Sequence, residues 1–366
     1  MITQQQRVHN FYAGPATMPL EALTRAQAEL LDFEGTGMSV MEISHRSKEY
    51  LALHEEAKAL VRELMRLPSN YHVLFLQGGA SLQFGMVPMN LLGGDRSADY
   101  LVTGDWAKKA LKEAKLFGKT HVAYSSEGSH FDRVPQADGE LSLTPGATYV
   151  HLTSNNTIFG TQFHRFPDTR GVPLVADMSS DIMWRPFDVT PFGLIYAGAQ
   201  KNLGPSGVVL VIIRDDLLAQ CNEGLTTMLS YPTHVKNDSL YNTPPTFGVY
   251  MLRNVLAWLK GIGGLEEAER RNQAKAKLLY DVIDAHPGLY QGHAQPDSRS
   301  TMNVTWRLSS EDLEKAFLKG AEERDLVGLK GHRSVGGCRA SIYNAMSLES
   351  VQLLADYMVD FARQNA

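Results

Sequence analysis

Ile195 to Ile213 reads IYAGAQKNLGPSGVVLVII, and its only charged residue is Lys201. Apolar and small residues precede the lysine. Asn202 to Gly207 follows as a turn-rich hinge, and Val208 to Ile213 is an unbroken apolar run. Short apolar runs bounded by turn residues read as buried strands. Lysine is rarely buried without a partner. A lone ammonium between a small-residue run and a glycine turn is therefore either a surface loop residue, the commoner case, or a working amine. An amine held in a tight polar pocket condenses with a carbonyl to give a Schiff base.

Asp177 shifts the balance toward the working amine. It ends the run Val172-Pro173-Leu174-Val175-Ala176 and is followed by Met178-Ser179-Ser180. An Asp in such a place is usually a turn former, but strand ends are also where α/β proteins gather ligands. Pyridoxal phosphate chemistry needs both residues. A lysine carries the cofactor, and a carboxylate keeps the pyridine nitrogen protonated so that the ring accepts electrons.

The 366 residues suffice for a large core and two domains. A hydrophobic share of 43% with 20% charged residues suits a globular protein, and a net charge of -5 gives no reason to expect nucleic acid. No apolar run nears the roughly 20 residues of a membrane span. The start, MITQQQRVHNF, lacks the apolar core of a signal peptide. Two cysteines, Cys221 and Cys338, are too few for a disulfide framework. The expectation is a cytoplasmic protein with reduced thiols and, without CxxC or HExxH spacings, no metal site.

Outward from the lysine, the pattern alternates strands and helices. Leu20 opens a helical stretch, and Lys48 to Met65 spaces its apolar residues as an amphipathic helix. Tyr71 to Leu76 reads as a strand running into Gly78-Gly79-Ala80-Ser81 and a helix start. Free backbone N–H groups there form either a phosphate cradle or an ordinary tight turn. Tyr100 to Val102, Thr120 to Tyr124 and Ala147 to Leu152 read as further strands. The first turns at Trp106 into a helix, and that Trp is either a packing anchor or a cofactor stacker. The last ends in the polar cluster Thr153 to Thr157. Ser230 to Thr246 reads as one long irregular loop, Phe247 to Leu259 as a helix, and Gly261 to Gly264 as a domain boundary. A charged helix from Leu265 to His286 leads into a strand at Thr301–Trp306 and helices at Ser310–Arg324 and Leu348–Gln364. Gly331 to Ala345, GHRSVGGCRASIYNA, sets His332, Arg333 and Arg339 among glycines. His-Arg-Ser occurs at 45–47 and again at 332–334. Two cationic clusters suit a substrate with two anionic ends, since guanidinium groups grip carboxylate and phosphate bidentately.

These motifs together resemble the phosphoserine aminotransferase family, fold-type-I pyridoxal phosphate enzymes of class V. NFYAGPATMP, MEISHRS, FLQGGASLQF, the Trp106 turn, ADMSSD, GAQKNLGPSG, YNTPP and GHRSVGGCRASIYNAM occur in that family's order between residues 10 and about 346. The resemblance implies an α/β fold. A large, mostly parallel-sheet α/β/α domain would span 16–261, and 1–15 with 262–366 would form a smaller α+β domain. It implies reversible transfer of the amino group from L-glutamate to 3-phosphohydroxypyruvate, giving O-phospho-L-serine and 2-oxoglutarate in serine biosynthesis. The 4-phosphohydroxy-L-threonine step of pyridoxine biosynthesis is a further candidate.

By the same resemblance Lys201 would bear the cofactor and move the α-proton, and Asp177 would pair with the ring nitrogen. Trp106 would stack on the ring, with Thr157 on its hydroxyl side. Ala80, Ser81 and Gln200 would hold the phosphate, joined by Asn242 and Thr243 from the other subunit of a homodimer. Arg339 would grip the α-carboxylate, while His45, Arg46, His332 and Arg333 would hold the substrate's distal phosphate or carboxylate. Ala13 departs from some members, which removes any side-chain contact there, and the Ala80-Ser81 pair departs from others, which leaves phosphate binding more to the backbone and the Ser81 hydroxyl. Two rivals stand beside this reading. One is a cysteine desulfurase-like lyase using Cys338 beside Arg339; the other is a non-catalytic cofactor-binding module.

Overall fold

The stretch around Lys201 forms two strands joined by a turn. In the computed structural model, which describes residues 7–365, Phe192–Gly198 and Val209–Arg214 pair antiparallel, and Lys201 sits in the connection. The chain before them supplies α1 (Leu20–Glu29), α2 (Lys48–Leu64), β1 (Tyr71–Leu76), α3 (Gly79–Leu91), β2 (Ser97–Val102) and α4 (Asp105–Ala114). Then come β3 (Lys119–Ser125), β4 (Tyr149–Thr153) and β5 (Leu174–Asp177), so that the Lys201 pair is β6 and β7.

These seven strands form one sheet in the order β1-β7-β6-β5-β4-β2-β3. β7 runs antiparallel to both neighbours, and the other pairings are parallel. A mostly parallel sheet is covered on both faces, so its central strands read as continuous apolar runs instead of alternating ones. β4, β5 and β6 are buried along their whole length. Helix α2 starts where the Ser47 side chain accepts a hydrogen bond from the Tyr50 amide, 3.3 Å away, a side-chain N-cap.

The rest of the chain gives α5 (Tyr231–Lys236), α6 (Thr246–Gly261), α7 (Gly264–Ala285), β8 (Tyr290–Gly292), β9 (Asn303–Leu308), α8 (Glu311–Glu322), β10 (Cys338–Ser341) and α9 (Leu348–Asn365). Strands β8, β9 and β10 form a second, antiparallel sheet. Its core gathers Phe11 with side chains of α7, α8, α9 and the three strands. Helix α7 passes between cores: Leu265 and Ala268 belong to that of the large sheet, and Leu279 and Ile283 to that of the small one. Residues 1–6 of the expected small-domain segment lie outside the described residues.

One expectation is corrected. Ser230 to Thr246 is not irregular throughout, because α5 interrupts it with Ser230 as N-cap and Pro232 in its first turn. Its six residues are too few for the helical period to stand out in sequence. No helix among the described residues is long and apolar enough to cross a membrane.

Candidate active site

A cleft of about 560 Å³ opens at the carboxyl ends of the parallel strands. Asp177 is the last residue of β5, Thr153 the last of β4, and Lys201 follows β6, so the topology alone brings them to one edge. The N-terminus of α3 supplies Gly78, Gly79, Ala80 and Ser81, and Gln200 and Trp106 complete the wall. Gly78 has a φ of 85°, and a Cβ there would come within 2.5 Å of Leu82, so only glycine fits this turn into the helix. The result is a row of free amides at a positive dipole end, suited to a phosphate.

Lys201 Nζ donates to Thr157 Oγ1 at 2.6 Å and lies 5.7 Å from the centroid of the Trp106 ring. Burial pulls the amine down to about 8, while Asp177 opposes the shift and Arg339 adds to it. Asp177 is 4% exposed. Burial pushes its carboxyl up, opposed by the hydrogen bonds of Ser179 and by Lys201.

Ser179 is a functional residue that the sequence did not single out. Its amide and its hydroxyl both donate to Asp177 Oδ1, at 3.0 and 2.6 Å. The Gly198 amide donates to the same hydroxyl oxygen at 3.0 Å. That bond makes Oγ an acceptor for Gly198 and commits its one proton to Asp177. Oδ2 is left without a partner among the described residues. Gly14 was missed as well. It lines the cleft with a φ of 148°, and a Cβ there would meet Lys201 Cγ at 3.2 Å. Neither residue has a signature in the order of residues alone. One depends on a local turn, the other on a contact between residues 187 positions apart, about half the chain.

Arg339 opens its side chain toward the same place. Its Nη1 donates to the Thr157 carbonyl at 3.4 Å, and its buried Nε has no partner. Burial lowers this guanidinium too. His332 and Arg333 lie on the loop before β10. His332 is lowered by burial and by Arg339, and Arg333 is exposed. The described lining of the cleft includes none of Thr157, His332, Arg333, Arg339, His45, Arg46, Asn242 and Thr243. Hydrogen bonds link Thr157 to Lys201 and Arg339 to Thr157, whereas no described hydrogen bond links His45, Arg46, Asn242 or Thr243 to Lys201 or Asp177. His45 and Arg46 precede α2, with Arg46 exposed and His45 Nε2 unpaired. Asn242 lines a separate hollow beside Gln77 and Leu82, and the Thr243 carbonyl accepts from Gln77 Nε2 at 3.2 Å.

The desulfurase alternative loses its nucleophile. Cys338 is 1% exposed, lies within β10, and its thiol is driven upward by burial. A reactive cysteine needs a thiolate and access, and this one has neither.

These residues fit pyridoxal phosphate. The amine, the carboxylate with one free oxygen, the flat aromatic wall and the amide cradle face one cleft of adequate size. Known proteins agree with this fit. The sequence profile of the family described as aminotransferase class-V matches residues 8–354. The phosphoserine aminotransferase of Niallia circulans is 58% identical over 98% of this chain and 99% of its own. The structure of phosphoserine aminotransferase from Bacillus circulans subsp. alkalophilus superposes with a TM-score of 0.96 at 57% identity, covering 99% of this chain and 100% of that one. The PLP-bound phosphoserine aminotransferase of Trichomonas vaginalis gives a TM-score of 0.91 at 38% identity, with 96% and 100% covered.

Proposed function

The chain belongs to the aminotransferase class-V family and, within it, to the phosphoserine aminotransferases, and from that premise we propose that it transfers the amino group between L-glutamate and 3-phosphohydroxypyruvate. The observation that carries the reading is Lys201, held by Thr157 against the Trp106 wall with Asp177 beside it. Pyridoxal phosphate, when bound, supplies a carbonyl for the lysine and a ring that takes up the electrons of the α-carbon.

The chain's own groups then divide the work. An amine lowered to about 8 has an accessible neutral form, so Lys201 Nζ can take the substrate's α-proton and return it. Ser179 holds one oxygen of Asp177, and the other is free to accept the ring N–H. A carboxylate kept from water there favours the protonated ring. Trp106 would stack on one face of that ring, with Thr157 on its hydroxyl side. The α3 amides at Ala80 and Ser81, with Gln200, would hold its phosphate. Arg339 takes the α-carboxylate by a charge-assisted pair.

His45, Arg46, Asn242 and Thr243 act across a homodimer, so that each cleft receives them from the other copy. Their place away from the cleft supports this. So do the large apolar side chains exposed nearby in sequence, among them Leu31 at 84%, Met41 at 57% and Tyr241 at 48%. His332 and Arg333 would close the distal-anion site with them. The proposed division is 16–261 against 1–15 with 262–366; the two cores support two domains, with the change from one core to the other falling within α7, between Ala268 and Ala276. A cytoplasmic place and use in serine biosynthesis accompany this reading.

The assay is direct. Purified protein supplied with the cofactor, L-glutamate and 3-phosphohydroxypyruvate should form O-phospho-L-serine and 2-oxoglutarate in equal amounts. Product only with a different keto acid would reassign the acceptor, and 4-phosphohydroxy-L-threonine in the reverse direction tests the pyridoxine step.

A further inference from the structure

Four residues past Asp177 lies a second carboxylate that the roles above leave unused. Asp181 is 4% exposed. Its amide closes a turn onto the Met178 carbonyl at 3.1 Å, which folds it back beneath Asp177. Ser154 Oγ is hydrogen-bonded to Asp181 Oδ1 and also reaches the Asp177 carbonyl at 3.1 Å. Gln162 Nε2 donates to Asp181 Oδ2 at 3.1 Å. The Gln162 oxygen is committed elsewhere, since it accepts both the amide and the hydroxyl of Thr301 at 2.9 Å. Its NH₂ group therefore has to face Asp181, and Asp181 has to accept there. A buried carboxylate is costly, yet this one is built into the joint between the strand end that carries Asp177 and the segment leading into β9.

We propose that Asp181 is a positioning residue for amino transfer: tied through Ser154 to the backbone of Asp177, it supplies the second buried negative charge in whose field Lys201 works. The inference rests on Lys201 being the cofactor lysine. The charged groups around Asp181 are Asp177, Arg185 and Lys201, and Arg339 opposes the carboxylates at the amine. Burial raises Asp181 to about 6, so it carries its charge at neutral pH. That charge favours the proton on Lys201, offsetting part of what burial removes. Ser154 has one proton and two acceptors. It points to Asp181 when that group is ionised, and to the Asp177 carbonyl when Asp181 is protonated and donates instead.

The geometry offers a clean substitution. In Asp181→Asn the amide oxygen can accept from Gln162, and its NH₂ can donate to Ser154 Oγ, which donates to the Asp177 carbonyl. Every hydrogen bond survives and only the charge is lost. The holoenzyme should be titrated with pH while the visible band of the lysine-bound cofactor is followed, in wild type and in Asp181→Asn. The midpoint should move to lower pH, by up to about one unit, which is at most a roughly tenfold weaker hold on the proton. Asp181→Ser, also neutral and smaller, carries the same expectation should the amide variant not fold. A purely structural Asp181 would lower thermal stability and leave the midpoint where it was, and that result overturns the proposal. Absence of the band in wild type would instead overturn the reading of Lys201 itself.

Discussion

At the scale of single residues, buried charge separates the groups that work from those that hold the fold. Two lysines lose their water. Lys275 donates to the carbonyls of Ile342, Tyr343 and Met346 at 2.9, 2.6 and 3.1 Å, which occupies all three of its protons. Lys201 has one hydroxyl partner and a free edge on a cleft. The sequence singled out Lys201 because Asp177 and a glycine turn flank its strands. It passed over Lys275, whose partners lie some 70 residues away and are main-chain atoms with no identity to read. The value of about 8 for Lys201 lies below the ordinary 10.5. The folded state thus gives up the proton first, so the cost of the buried ammonium is complete below pH 8 and disappears as the pH rises through 10.5. The apoprotein of Lys201→Met should accordingly be more stable than wild type at pH 7 by on the order of 1–2 kcal/mol, allowing for screening at the cleft mouth. Denaturant titrations at pH 7 and above pH 10.5 check this. No gain at pH 7, or a gain independent of pH, would refute the assignment of a strained amine.

At the scale of elements, most of the fold was legible where residue pattern and environment agree. Tyr71–Leu76 was read to the residue, because a strand buried at five of its six positions is apolar but for His72. The Leu348 helix shows its amphipathic face over five turns. What escaped was short or held by non-local bonds. β2 begins three residues earlier than read, at Ser97, because Asp99 is buried within it and its carboxylate accepts the Thr144 amide at 2.7 Å. A charged residue in a strand looks like a loop until its distant partner is known. Thr153 to Thr157 was read as a polar cluster at a strand end. It proves to be a fully buried hairpin stem in which Asn155 bonds Ser180 and Asn303, a connection from the large sheet to the small one.

At the scale of the molecule, the cleft holds only part of the residues expected to serve it. The amine, ring partner, phosphate cradle and Arg339 are assembled within one chain, whereas His45, Arg46, Asn242 and Thr243 stand elsewhere on its surface. The proposed homodimer, with sites shared between its copies, would account for both sets. It predicts complementation: Arg46→Ala and Lys201→Ala, each nearly inactive alone, should regain activity when co-refolded, because one cleft of the hybrid has both residues intact. No recovery in a demonstrated hybrid would place Arg46 in its own chain's site. The central claim is that Lys201 is the amine through which amino groups pass. The most direct measurement is the visible spectrum of the purified holoenzyme, recorded alone, after L-glutamate, and after 3-phosphohydroxypyruvate. A yellow band should fade with glutamate, return with the phosphorylated keto acid, and be missing in Lys201→Ala. A wild-type protein that shows no such band with cofactor supplied, or a Lys201→Ala variant that shows the same band and cycle, would contradict that claim.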